Sequence, residues 1–151
     1  MVQGQSTSNA TAVAQHAAVA ALRGPLSDFE RTRAMFQKRR DSMVAGLESV
    51  SGISCRKPEG AFYAFADVRG LFGLEWSGKT IETDEDVVMW LLDQAHVAAV
   101  PGAGFGAPGY VRFSYAASDE RIAAGIAAIG RVVDRAWQAD RTGRTSVRAP
   151  Q

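Results

Sequence analysis

Apolar residues recur at two different periods along this chain, and the switches between them constrain its fold more than any other feature. Phe29, Phe36, Met43 and Leu47 return at roughly one-face helical spacing, and Ile122, Ile126, Ile129, Val133 and Trp137 form a regular stripe of the same kind. Between these stripes lie short runs suited to strands: Ile53-Ser54-Cys55, Ala61 to Ala66, Val97 to Val100, and Tyr110 to Tyr115. Capping signals mark the helices. Asn9 can open an alanine-rich helix that Gly24-Pro25 ends, and Ser27 with Glu30 reads as a capping box for a long helix reaching towards Gly52. Thr83 with Asp86 opens a third helix with Val87, Val88, Leu91 and Leu92 on its buried side, and Ser118 caps the last. From Val68 to Thr80 three glycines predict a flexible loop that Leu71, Phe72 and Trp76 pack down. The order predicts an α/β (α+β) fold, a sheet of about four strands covered by helices on one face.

Composition excludes several functions. The 151 residues are 46% hydrophobic and 22% charged, with a formal net charge of +1, which fits one ordinary core and gives no electrostatic footprint for nucleic acid or an anionic membrane. The cluster Arg31, Arg33, Lys38, Arg39 and Arg40 alternates with Glu30 and Asp41 and reads as a solvated helix face. No stretch is apolar enough to span a bilayer, and the lone Cys55 has no disulfide partner or zinc cluster, so a soluble cytoplasmic protein is expected.

The segment from Pro101 to Gly109 is rich in glycine but lacks the glycine-lysine-serine/threonine ending of a phosphate loop, and it leads into a strand rather than a helix. Arg112 is more informative. It stands inside an apolar strand, where alternation puts Arg112, Ser114 and Ala116 on one face and Val111, Phe113 and Tyr115 on the other. Two readings are level on local sequence: an exposed strand edge, or a guanidinium held for a carboxylate or phosphate. His16 and His96 lie in helical contexts without a triad pattern, Cys55 reads as a small buried apolar residue, and Lys57, Glu59 and Lys79 read as surface residues.

The segments Lys57-Pro58-Glu59-Gly60-Ala61-Phe62-Tyr63, Ala98-Ala99-Val100-Pro101-Gly102 and Phe105-Gly106 through Tyr110-Val111-Arg112-Phe113-Ser114-Tyr115-Ala116 resemble, in order and spacing, the C-terminal motifs of class I/II pyridoxal-phosphate-dependent aminotransferases. Gln3 to Ser8 and the alanine-rich helix resemble the stretch preceding the small domain in the bacterial aspartate aminotransferases, so the resemblance covers about residues 3 to 137. It implies a small-domain-like fold with a long connecting helix: residues 1–26 as the end of a large-domain-like region, 27–140 as the small domain, and 141–151 as a disordered tail. It further implies that Arg112 binds the α-carboxylate of an amino acid or 2-oxo acid, that Phe62 borders the substrate pocket, and that Gln5 to Asn9 approaches a partner's active site in a homodimer. Phe105 lines the substrate side or packs.

The chain departs from the family at the cofactor. The family's Schiff-base lysine lies in a serine-x-serine-lysine-like motif, and none of Lys38, Lys57 and Lys79 has that context. The aspartate that pairs with the pyridine nitrogen and the residues that cup the phosphate are missing too. The expectation is therefore an aminotransferase C-terminal domain, its parent acting on aspartate or aromatic amino acids, that is inactive alone and does not bind pyridoxal 5'-phosphate covalently. The alternatives are a non-catalytic carboxylate-binding or dimerisation module, and one half of a split transaminase whose missing large-domain chain carries the lysine.

Overall fold

A computed structural model of the chain describes Gly4, residues 9–142 in full and the backbone of 143–146. The chain divides into two compact units, Met1–Ala34 and Met35–Gln151.

The first unit carries α1 (Ala12–Arg23) and the opening turns of α2 (Ser27–Glu48). The N-cap of α1 is Thr11, not Asn9: the Thr11 hydroxyl accepts the Ala14 N–H at 3.3 Å. Hydroxyl and amide side chains compete for this role, and Thr11 stands at the position from which the third residue on can be reached. No residue of α1 is buried. At the start of α2 the Glu30 N–H bonds the Leu26 carbonyl, so Ser27 lies inside the helix and does not cap it. Phe29, expected on the buried stripe, is 65% exposed. The segment Gln5 to Asn9, expected to approach a partner, lies outside the described residues apart from Asn9.

In the second unit, α2 continues to Glu48, four residues short of Gly52, and buries Met43, Val44 and Leu47. There follow β1 (Ser54–Cys55), β2 (Tyr63–Asp67), a tight turn at Arg69–Leu71, β3 (Glu75–Trp76), β4 (Lys79–Thr80), α3 (Asp84–Ala95), β5 (Val100–Pro101), a second tight turn at Gly102–Phe105, β6 (Tyr110–Ser114) and α4 (Asp119–Ser146). The main sheet is four-stranded and antiparallel in the order β1-β2-β6-β5. Alternation along β2 and β6 drives this arrangement. Ala64, Ala66, Val111 and Phe113 point to one face and are buried with Leu47 of α2, Val87 and Leu91 of α3, and Ile129 and Val133 of α4. The helices thus cover one face, as the sequence predicts.

Several details differ. The strand expected over Val97–Val100 pairs only at Val100 and Pro101. The stretch after Val68 is folded: Leu71, Leu74 and Ile81 are buried, and Ser77 and Gly78, both at positive φ, turn the β3–β4 hairpin in the way that favours tight two-residue connections. On α3, Trp90 is buried while Leu92 is 45% exposed, because the helix meets the core through the 87, 88, 91 and 95 positions. The last helix runs through Arg141 to Ser146, and 147–151 lie outside the described residues. No helix among the described residues is long and apolar enough to cross a membrane, and no group of three or more His, Cys, Asp or Glu is placed to hold a metal.

Candidate functional site: an arginine on the open face of the sheet

The face of the sheet turned away from the helices carries Tyr63, Phe65 and Asp67 from β2 and Tyr110, Arg112 and Ser114 from β6. These are the half-buried or exposed positions between the core residues of each strand. Register places Arg112 opposite Phe65 on one side and Val100 on the other, with Tyr63 on the adjacent diagonal. The Arg112 guanidinium carbon lies 4.3 Å from the Tyr63 ring centroid and 4.6 Å from that of Phe105. Such contacts contribute about 0.5–2 kcal/mol each, and they leave the in-plane N–H donors of the guanidinium open. Among the described residues no carboxylate or carbonyl takes those donors. Arg69 contrasts with it: beside Tyr110 at 5.6 Å, it forks onto the carboxylate of Asp67. That pairing holds the Asp67 carboxyl below its ordinary range.

Phe62 is brought to the same place. Its ring packs at 4.4 Å on Tyr63, and 42% of the residue stays exposed. The turn before it is fixed from β6: the Tyr115 N–H bonds the Phe62 carbonyl at 2.9 Å and the Tyr115 hydroxyl donates to the Ala61 carbonyl at 3.0 Å, with Ala61 at φ 60°. Phe105 reaches Arg112 from the glycine-rich segment and also meets Phe65 edge-on at 6.4 Å. Phe62, Tyr63, Phe105 and Arg112 therefore form one connected aromatic and cationic patch.

The glycine-rich segment is not arranged as a phosphate cradle, because four of its N–H groups already turn inward to protein acceptors. Ala103 donates to Asp84 Oδ2 at 2.8 Å and Gly109 to Asp84 Oδ1 at 3.1 Å, while Gly106 and Ala107 bond the carbonyls of Ala103 and Gly102. Asp84 is 2% exposed. Burial pushes its carboxyl up, but the backbone N–H donors outweigh that and hold it below its ordinary value. Neither Asp84 nor Tyr63 stands out in the sequence. Asp84 reads as one acid among three in a helix's first turn, and Tyr63 is tied to Arg112 only by strand register.

The other candidates are structural. Cys55 is buried at the end of β1, and burial pushes its thiol up. His96 adopts the left-handed conformation that ends α3. Lys38, Lys57 and Lys79 are exposed and engaged with Asp119, Asp41 and Asp86.

The second unit is thus an antiparallel sheet clad on one side by helices, with an arginine on the other. The crystal structure of the aspartate aminotransferase from Rhizobium meliloti superposes with a TM-score of 0.85 at 43% sequence identity, over 89% of this chain and 34% of that one. Alanine aminotransferase from Pyrococcus furiosus superposes at 0.72 with 30% identity, over 81% of this chain and 30% of that one. In sequence, residues 1–129 match the family model for aminotransferase class I and II, and the chain belongs to that family. Curated relatives include an aspartate aminotransferase of Rhizobium meliloti (strain 1021), 43% identical over 89% of this chain and 33% of the relative. Another is a probable aspartate/prephenate aminotransferase of Rhizobium leguminosarum bv. phaseoli, 47% identical over 81% of this chain and 31% of the relative. The chain thus spans about a third of the length of the relatives it matches.

Proposed function

We propose that this chain is the substrate-carboxylate-binding lobe of an amino-group transferase that exchanges an amino group between an amino acid, aspartate or an aromatic one, and a 2-oxo acid. The observation that carries the proposal is the Arg112 guanidinium, seated against Tyr63 and Phe105 with no acceptor among the described residues. Two parallel N–H donors match the two oxygens of a carboxylate, and a fork held by aromatic rings fixes the ligand's direction as well as its position. Phe62 and Phe105 form apolar borders beside that fork, suited to a ligand whose carbon skeleton runs across the patch.

The family depends on pyridoxal phosphate, whose ring serves as an electron sink when bound. The residues of this chain do not fit it: a Schiff-base lysine has to be held at an enclosed site beside the substrate, and all three lysine side chains are exposed and paired with surface carboxylates. We infer that the chain alone binds carboxylates without catalysing transfer, and that a lysine-bearing part, on the same polypeptide or another, completes the enzyme.

Two measurements test this. Titration of the chain with succinate should show saturable binding that Arg112→Ala abolishes and Arg112→Lys weakens about tenfold, because an ammonium lacks the fork. Equal binding by wild type and Arg112→Ala would refute the assignment. Borohydride reduction in the presence of pyridoxal phosphate should label the three lysines slowly and without preference, whereas stoichiometric labelling of a single lysine would show that the chain holds its own cofactor site.

A further inference from the structure

We propose that Asp84 is a positioning residue for the carboxylate site: its one carboxylate grips both ends of the Ala103–Gly109 segment and so keeps the Phe105 ring against the Arg112 guanidinium. The proposal rests on the reading of Arg112 as the carboxylate ligand.

Asp84 is the one buried charged residue among the described residues, and no cation accompanies it. Capping of α3 does not require it, since Thr83 and Asp86 already form a complete capping box at that helix end. Its two oxygens instead take the N–H groups of Ala103 and Gly109, which close the segment like a loop drawn tight at its neck. The segment is shaped for this closure. A Cβ on Gly102 would stand 2.4 Å from the Ala107 carbonyl oxygen, and Gly106 and Gly109 hold φ of 73° and 84° that other residues seldom adopt.

The large side chain that the closed segment presents is Phe105, which is 53% exposed and takes no part in the core. Core packing therefore does not explain its place. Its contacts are with Arg112, at 4.6 Å, and with the edge of Phe65. A ring against the guanidinium strips water from the cation while leaving the N–H fork free, which strengthens a carboxylate bond made there. Asparagine at position 84 could satisfy one of the two N–H groups but would turn its own N–H₂ towards the other.

The test uses the full chain, labelled with nitrogen-15, and follows the Arg112 Nε–Hε signal, identified by its loss in Arg112→Lys. Without ligand, Asp84→Asn should move that signal in the same direction as Phe105→Leu, because both withdraw the ring current of Phe105. Ala103→Pro deletes one N–H donor, leaves the carboxylate in place, and should move the signal part of the way. Affinity for succinate should fall about tenfold in Asp84→Asn, the size expected when a ring-shielded charge becomes hydrated. An Asp84→Asn chain that is less stable but keeps the wild-type Arg112 signal and succinate affinity would make Asp84 a loop anchor only and overturn the proposal. If Asp84→Asn does not fold, Ala103→Pro decides, and an unmoved signal overturns it. Succinate binding that ignores Arg112→Lys would sink the carboxylate reading instead, and the ligand-free signal would still report whether Asp84 holds Phe105.

Discussion

Gly52 and Gly70 meet backbone to backbone: a Cβ on Gly70 would lie 2.6 Å from the Gly52 carbonyl oxygen, which has no side-chain freedom to yield. Gly70→Ala should therefore cost about 2–3 kcal/mol, read as a lower urea midpoint with an unchanged slope. Asp84 makes a prediction about acid. Its native pKa lies below the unfolded value of about 3.9, so its contribution is fully present above that value and is lost as the pH falls through the native one. Asp84→Asn should cost about 2 kcal/mol between pH 5 and 7 and progressively less below about pH 4; a difference that grows on acidification would contradict the sign. At this scale the sequence discloses Arg112, since a charge on an apolar strand is visible in alternation. Tyr63 and Asp84 stay hidden because what defines them, a diagonal across a strand pair and burial under a loop some twenty residues on, is decided by tertiary pairing.

The helices differ sharply in what holds them. α3 has both halves of its capping box and a face buried at Val87, Val88, Trp90 and Leu91, so Thr83→Ala should remove about 1 kcal/mol and fray its first turn. α1 has a cap but no buried residue, and twelve residues without packing are marginal in water. Amide exchange should accordingly be fast across Ala12–Arg23 and slow at Met43–Leu47 of α2; equal protection would mean that α1 is covered in solution. Elements with strong local signals, such as the Thr83 box and the stripe of α4, are readable from the chain alone. β5 is readable in place but not in extent, because two paired residues carry no periodicity that would fix its ends, and the β3–β4 hairpin hides in a stretch whose glycines look like a loop.

For the whole molecule, large apolar side chains remain exposed: Leu22, Leu26 and Phe29 in the first unit, Met89 and Leu92 in the second. Sedimentation velocity should show concentration-dependent association that weakens when Leu22, Leu26 and Phe29 are changed to serine, and a single species at monomer mass throughout would set self-association aside. Helices on one face of the sheet follow from the order of periods in the sequence, whereas the strand order β1-β2-β6-β5 joins segments about fifty residues apart and needs the folded chain to be seen. That order also decides which kind of association is open. Both outer strands are two residues long, one followed by Arg56, Lys57 and Pro58 and the other ending at Pro101, which has no N–H to offer. Neither border is long enough to template a further strand, so when folded chains cluster they meet through side chains and not by extending the main sheet edge to edge.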